Sequence, residues 1–254
     1  MPHSRSSTWL VLPGLLAAAW GCSAPADDQP AAGSGGAGNV MTTPLGRQRC
    51  QAPAGVSGSP RTIEGAVQLM NALPKPTSVA CFVESLDRPL TAFATKSVFS
   101  AQPALSAQSP RVFLQIGPLW VSIVIDGDSS SLVEFGHLMP GERMQSIKGE
   151  LQLPLEAPVP ASAPYDRVRE GAGTVCGLCH FGERRVEELT FAEVYASEAF
   201  RPRPETYVSI EQLRLEAQSC DVKVQPQRCE MLAAVFDGGP VTETVFPPTM
   251  VTFF

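Results

Sequence analysis

Between residues 90 and 155 short apolar runs alternate with turn residues, a pattern that predicts strands. Residues 112–116 and 119–125 are β-branched and apolar, and Gly117-Pro118 separates them. Asp126-Gly-Asp-Ser-Ser130 reads as a turn before another short strand at 132–135. Its two aspartates lack the later ligands of a twelve-residue calcium loop, so the turn is expected to be solvated. Ile147, Gly149, Leu151, Leu153 and Leu155 recur at every second position, as in a half-buried strand. Regular short strands of this kind predict a β-rich, sandwich-like domain over residues 50–160.

The flanks have helical spacing. Ile63, Ala66, Val67 and Met70 share one helical face after a capping Thr62, and Pro74 and Pro76 end that helix. Residues 78–84, carrying Cys81, read as a strand. Downstream, Thr190-Phe-Ala-Glu193 and Ser209-Ile-Glu-Gln212 match the capping box and predict helices at 191–199 and 210–219. A third helix is expected at 227–236, closed by Asp237-Gly-Gly-Pro240. The Pro- and Ala-rich stretch 154–164 is the expected linker between the β-rich part and this helical segment, residues 161–254. The fold class is therefore expected to be α+β.

The start of the chain has a different character. Arg5 followed by the apolar stretch 9–20, too short to cross a bilayer comfortably, predicts an export signal over residues 1–21. Ala19-Trp20-Gly21-Cys22 resembles a bacterial lipobox, which implies lipidation of Cys22 and a membrane anchor. Ordinary cleavage nearby would instead leave Cys22 as a plain thiol. Residues 22–49, rich in Ala, Gly, Pro and Ser, are expected to be a flexible tether. The expected location is the bacterial cell envelope, lipid-anchored and facing the periplasm or the outside. A formal net charge of −6 argues against nucleic acid as a partner.

Chemistry concentrates in one pentapeptide, Cys176-Gly-Leu-Cys179-His180. In an exported protein C-x-x-C-H is the attachment signature of a c-type haem. On one helical turn, residues three and four apart share a face, so two sulfurs and an imidazole can address one macrocycle. The segment resembles the c-type cytochromes in this motif and, more loosely, in the chain beyond residue 165. The resemblance implies one covalent haem c on Cys176 and Cys179, His180 as an axial iron ligand, and a small, divergent cytochrome c-like helical fold. It also implies a second axial ligand, often a methionine. Met250, in Phe246-Pro-Pro-Thr-Met250-Val-Thr-Phe253, looks like the methionine loop of cytochromes, with Val251 in place of its proline. Met231 and His137 are the other candidates, and an open sixth position is a further variant. Arg184, Arg185, Arg201 and Arg203 are candidate partners for the haem propionates.

Three other readings of the two cysteines stay open: a local disulfide, a redox-active dithiol, and half of a zinc site. Setting aside Cys22, Cys176 and Cys179 from seven cysteines leaves Cys50, Cys81, Cys220 and Cys229. Their local pairing would place one disulfide in each half, as an oxidising compartment allows. No Ser-His-acid set is evident, so no catalytic residues are expected and an electron carrier is favoured over an enzyme. Its redox partner is not named by the sequence. Two other functions compete: a thiol–disulfide oxidoreductase at Cys176 and Cys179, and a cell-surface binding protein whose β-rich domain carries the activity.

Overall fold

Thr62 starts the first helix as its spacing predicts. Its hydroxyl accepts the Gly65 amide at 3.1 Å, and α1 (Ile63–Ala72) buries Ile63, Ala66, Val67, Leu69 and Met70. The computed structural model describes residues 42–100, 102–139, 141 and 144–252. The expected export signal, Cys22 and most of the tether lie outside the described residues.

The segment 78–84 corrects the sequence reading, for it is a helix, α2 (Val79–Glu84), and not a strand. Ser78 caps it by accepting from the Cys81 amide at 3.1 Å. All six residues are buried, so packing overrides the local preference for strand. Next in the chain is a meander of five antiparallel strands: β1 (Leu90–Thr95), β2 (Arg111–Ile116), β3 (Leu119–Val124), β4 (Leu132–Met139) and β5 (Gln145–Gln152). Gly117, at φ +62°, supplies the left-handed residue of the tight β2–β3 turn.

The rest of the chain adds α3 (Ala163–Val168), a hairpin of β6 (Arg169–Glu170) and β7 (Gly173–Thr174), β8 (Arg184–Arg185), β9 (Tyr195–Glu198), β10 (Phe200–Arg201) and β11 (Tyr207–Val208). Helices α4 (Ile210–Gln218) and α5 (Pro226–Phe236) come next, then β12 (Val241–Glu243) and β13 (Val251–Thr252). The fold is α+β. It contains one nine-stranded sheet, ordered β11-β1-β2-β3-β4-β5-β9-β8 with β12 also on β1, where a sandwich was expected. Strands from beyond residue 161 extend both ends of that sheet, so no break in pairing marks the expected boundary near 160.

The expected helix at 191–199 is also corrected. Its capping residue Glu193 is drawn away to Arg169 (2.6 Å) and Arg185 (3.9 Å). Ala196 and Ser197 are buried in β9, which pairs antiparallel with β5. The helices at 210 and 226 begin and end close to where the spacing puts them. The linker at 154–164 is held down: Asn71 on α1 exchanges two hydrogen bonds with the Val159 backbone, at 2.8 and 2.9 Å. The last residues of the expected tether are fixed too, since Arg47 and Arg49 reach into the fold.

Strand pleating sorts side chains to two faces. On one face Leu114, Val121, Ile123, Val133 and Ile147 join the helices in the main core. Both expected disulfides are present there, Cys50–Cys81 and Cys220–Cys229, the second tying the end of α4 to α5. Arg47 pairs with two buried carboxylates on this side. Its guanidinium nitrogens lie 2.8 Å from each Glu84 oxygen and 2.6 Å from Glu230. The opposite face carries the chemistry.

Candidate functional site

The C-x-x-C-H motif forms a short loop braced by its own neighbours. After the β6–β7 hairpin, Val175–Leu178 form a single 3-10 turn. The Cys176 carbonyl accepts the amides of Cys179 (3.1 Å) and His180 (2.9 Å), which fixes the spacing of all three side chains. Glu183 folds back and accepts the Thr174 amide at 2.9 Å as well as the Thr174 hydroxyl. A Cβ on Gly177 would lie 2.9 Å from a Glu183 oxygen, so glycine there lets the carboxylate close the loop. The Phe181 carbonyl then accepts the Glu198 amide at 2.9 Å, docking the loop on β9.

That docking also orients the imidazole. His180 Nδ1 lies 2.8 Å from the Glu198 carbonyl oxygen. A carbonyl can only accept, so Nδ1 carries the proton and Nε2 keeps its lone pair. The ring stacks on Phe200, centroids 5.0 Å apart and planes within 17°. Burial, aided by the positive charge of Lys148, pushes the His180 pKa down to about 3. The ring is therefore neutral at physiological pH, the form in which imidazole binds metals.

Between the motif loop and the free face of the sheet lies a cavity of about 630 Å³, a size typical of cofactor sites. Its walls divide into two parts. Trp120, Leu138, Phe200, Phe246 and Met250 are apolar. Arg111, Glu134, Lys148 and Ser122 are polar and largely paired among themselves. Arg111 forms an ion pair with Glu134 and donates to Ser122 Oγ at 2.5 Å. Lys148 donates to Ser146 Oγ at 2.6 Å, and burial pushes its pKa down to about 8. Glu134 and Glu150 stand opposite each other in the β4–β5 register, a like-charge pair that Arg111 and Arg167 offset.

Met250 reaches the same cavity from the far end of the chain. Strand β13 runs parallel to β10, with Val251 opposite Phe200, which sets Met250 abreast of Ala199 and close to Glu198, the residue that holds His180. Its side chain is 3% exposed, among Phe93, Trp120, Ala199 and Phe246. The other two candidates for a second ligand are elsewhere. Met231 is packed in the helix-side core. His137 lies on the helix-side face of β4, near Glu64 of α1, while its neighbours Gly136 and Leu138 line the cavity.

Among the described residues no three His, Cys, Asp or Glu side chains converge as a metal group. Cys176 and Cys179 are free, whereas the other four described cysteines are paired. Burial pushes the Cys176 thiol up, opposite to the lowering expected of a redox-active thiol. Sequence reasoning missed Arg111, Trp120, Glu134 and Lys148. Their signal was the recurrence of polar or aromatic residues at the alternate positions of otherwise apolar strands.

The neutral imidazole has a measurable consequence in the haem-free chain. The folded His180 pKa of about 3 lies below the ordinary value of 6.5, so the unfolded state binds more protons between those limits. Stability is then fully present above pH 6.5 and falls as pH drops toward 3. Urea unfolding at pH 7 and pH 4.5 is expected to show a larger loss in the parent than in His180→Gln. Equal losses would remove His180 as the cause.

No family model matches this chain, and no curated protein or solved structure matches it either.

Proposed function

We propose that this chain attaches one haem c covalently through Cys176 and Cys179 and serves as an exported, membrane-tethered electron carrier. His180 Nε2 would supply one axial ligand and Met250 the other. The observation that supports this best is convergence: the motif, a neutral imidazole with a free Nε2, and a buried methionine about 70 residues away line one cavity. The donor set fits the group. Nitrogen and thioether sulfur are the axial pair of cytochromes c, and two unpaired thiols are available for thioether bonds. When bound, the haem supplies one-electron chemistry, and the protein contributes ligation, burial and orientation.

The cytochrome c-like element in this reading is built differently from the helical segment expected. It consists of the motif loop, the β10–β13 pair and Met250, set against a sheet. Helices α4 and α5 pack in the core on the other face. Two disulfides among the described residues are compatible with an oxidising compartment, as export with a lipid anchor on Cys22 requires.

The test is haem staining after denaturing electrophoresis, on protein exported from a host with active cytochrome c maturation. The parent chain and Cys220→Ser/Cys229→Ser are expected to stain. Cys176→Ser/Cys179→Ser is expected to lose all stain. A stain that survives loss of both motif cysteines would overturn covalent attachment at this site.

A further inference from the structure

The two motif cysteines line the same cavity in different surroundings: Cys179 is exposed and Cys176 is partly buried. The thiolate is the nucleophile, and burial disfavours it, so Cys176 alone would be the slower of the two. The sheet supplies a counter-charge. Lys148 stands on the cavity-lining positions of β5, between Ser146 and Glu150. Gly136, opposite it on β4, brings no side chain, and the pairing of β5 with β9 stops at Ile147. No directly paired side chain therefore meets the lysine, and its hydrogen-bond partner is the neutral hydroxyl of Ser146. The charges beside it are matched already, Arg111 with Glu134 and Arg167 with Glu150. Arg184, Arg185 and Arg203, near the motif in sequence, are bonded outside the cavity, to Gln145, Glu187 and Glu205. Burial pushes the Cys176 thiol up, and Lys148 is the charge that most opposes this. With its own pKa at about 8, Lys148 is still mostly an ammonium at pH 7.

We infer that Lys148 is a positioning residue for thioether formation at Cys176: its ammonium holds the negative charge of the sulfur as that sulfur adds to a vinyl group. The inference rests on the haem reading for the identity of the vinyl group. In the addition the sulfur bonds to one vinyl carbon and the π bond breaks. The proton given up by the thiol ends on the other carbon, with no net gain or loss of electrons. Water can stabilise the exposed Cys179 sulfur in the same way, so the lysine matters at Cys176 and not at Cys179.

The experiment uses the full exported chain without haem, its two structural disulfides intact, in single-cysteine motif variants Cys179→Ala and Cys176→Ala. Each is alkylated at pH 7 with 4-vinylpyridine, a neutral vinyl probe, and the rate at the remaining motif cysteine is read by peptide mass. Circular dichroism melts check that each variant is folded. Lys148→Met and Lys148→Gln are each expected to slow Cys176 by about threefold or more. A neighbouring cation raises the thiolate fraction about tenfold, and lower nucleophilicity takes back roughly half of that on a logarithmic scale. Lys148→Arg is expected to restore the rate, and Cys179 to stay within twofold of its parent rate throughout. If one neutral variant fails to fold, the other decides.

An unchanged Cys176 rate in the neutral variants would overturn the inference, as would equal slowing of both cysteines. So would a rate that Lys148→Arg does not restore, because charge would then not be the cause. Covalent haem in the parent chain without any effect of Lys148 would remove this role alone. A Cys176 rate that depends on Lys148, in a chain that carries no haem after export from a maturing host, would remove the haem attachment and leave the action of the lysine on that sulfur standing.

Discussion

In the haem-loaded chain proposed above, replacing Met250 by alanine is expected to abolish the methionine-to-iron absorption of the oxidised protein. It is also expected to lower the reduction potential by on the order of 0.1–0.3 V, within the range that axial ligands control. A thioether is a soft donor that would favour the reduced iron, so its loss would shift the balance toward the oxidised form. Met231→Ala is the control. It removes a methionine that is 6% exposed, in the helix-side core, and should cost about 2–5 kcal/mol of stability with spectrum and potential unchanged. Spectroelectrochemistry on both variants separates the roles. A potential that moves in Met231→Ala and stays fixed in Met250→Ala would reverse the assignment.

Arg47→Met is expected to be strongly destabilising on the helix side of the sheet. Glu84 has a side chain with no exposed surface, and Glu230 is 9% exposed. Arg47 pairs with both, and the Cys50 amide donates to Glu84 at 2.9 Å. Removing the cation leaves Glu230 without its counter-charge and Glu84 with only the nearby Arg88, at a cost of about 3 kcal/mol, the low end for a buried pair because the Arg47 side chain is 34% exposed. That is a large share of the roughly 5–15 kcal/mol by which a domain is stable. Denaturant unfolding should show the loss, and adding Glu84→Gln and Glu230→Gln to the variant should recover part of it. A loss below about 1 kcal/mol would place the pair among ordinary surface contacts.

The parts of the fold legible in the sequence were those where local chemistry and packing agree. Thr62, Ser209 and the apolar spacing behind them produce α1 and α4, and the β-branched runs at 112–116 and 119–125 produce β2 and β3. The failures have identifiable causes. Residues 78–84 look like a strand, but Val79–Glu84 are all buried and wind into α2, which carries Cys81 to its disulfide. Residues 190–193 match a capping box, yet Glu193 is committed to Arg169 and Arg185, and the chain continues as a strand. The closure of one sheet by segments from both halves, with β12 and β11 on β1, depends on contacts 100 or more residues apart that no local pattern encodes. The motif itself was plain. Its pairing with Met250 rested on a short loop resemblance, and the place of that loop in space comes from the parallel β10–β13 pair. The polar wall of Arg111, Glu134 and Lys148 was hidden because each residue reads as the solvent face of its strand. The motif loop covers that face.

The central claim is covalent haem at the motif, and intact-mass spectrometry of the exported protein tests it most directly. Denatured protein from a host that matures c-type cytochromes is predicted to carry the added mass of one haem, localised by digestion to the peptide containing Cys176 and Cys179. A chain of unmodified mass from that host, with both motif cysteines as free thiols or joined to each other, would contradict it.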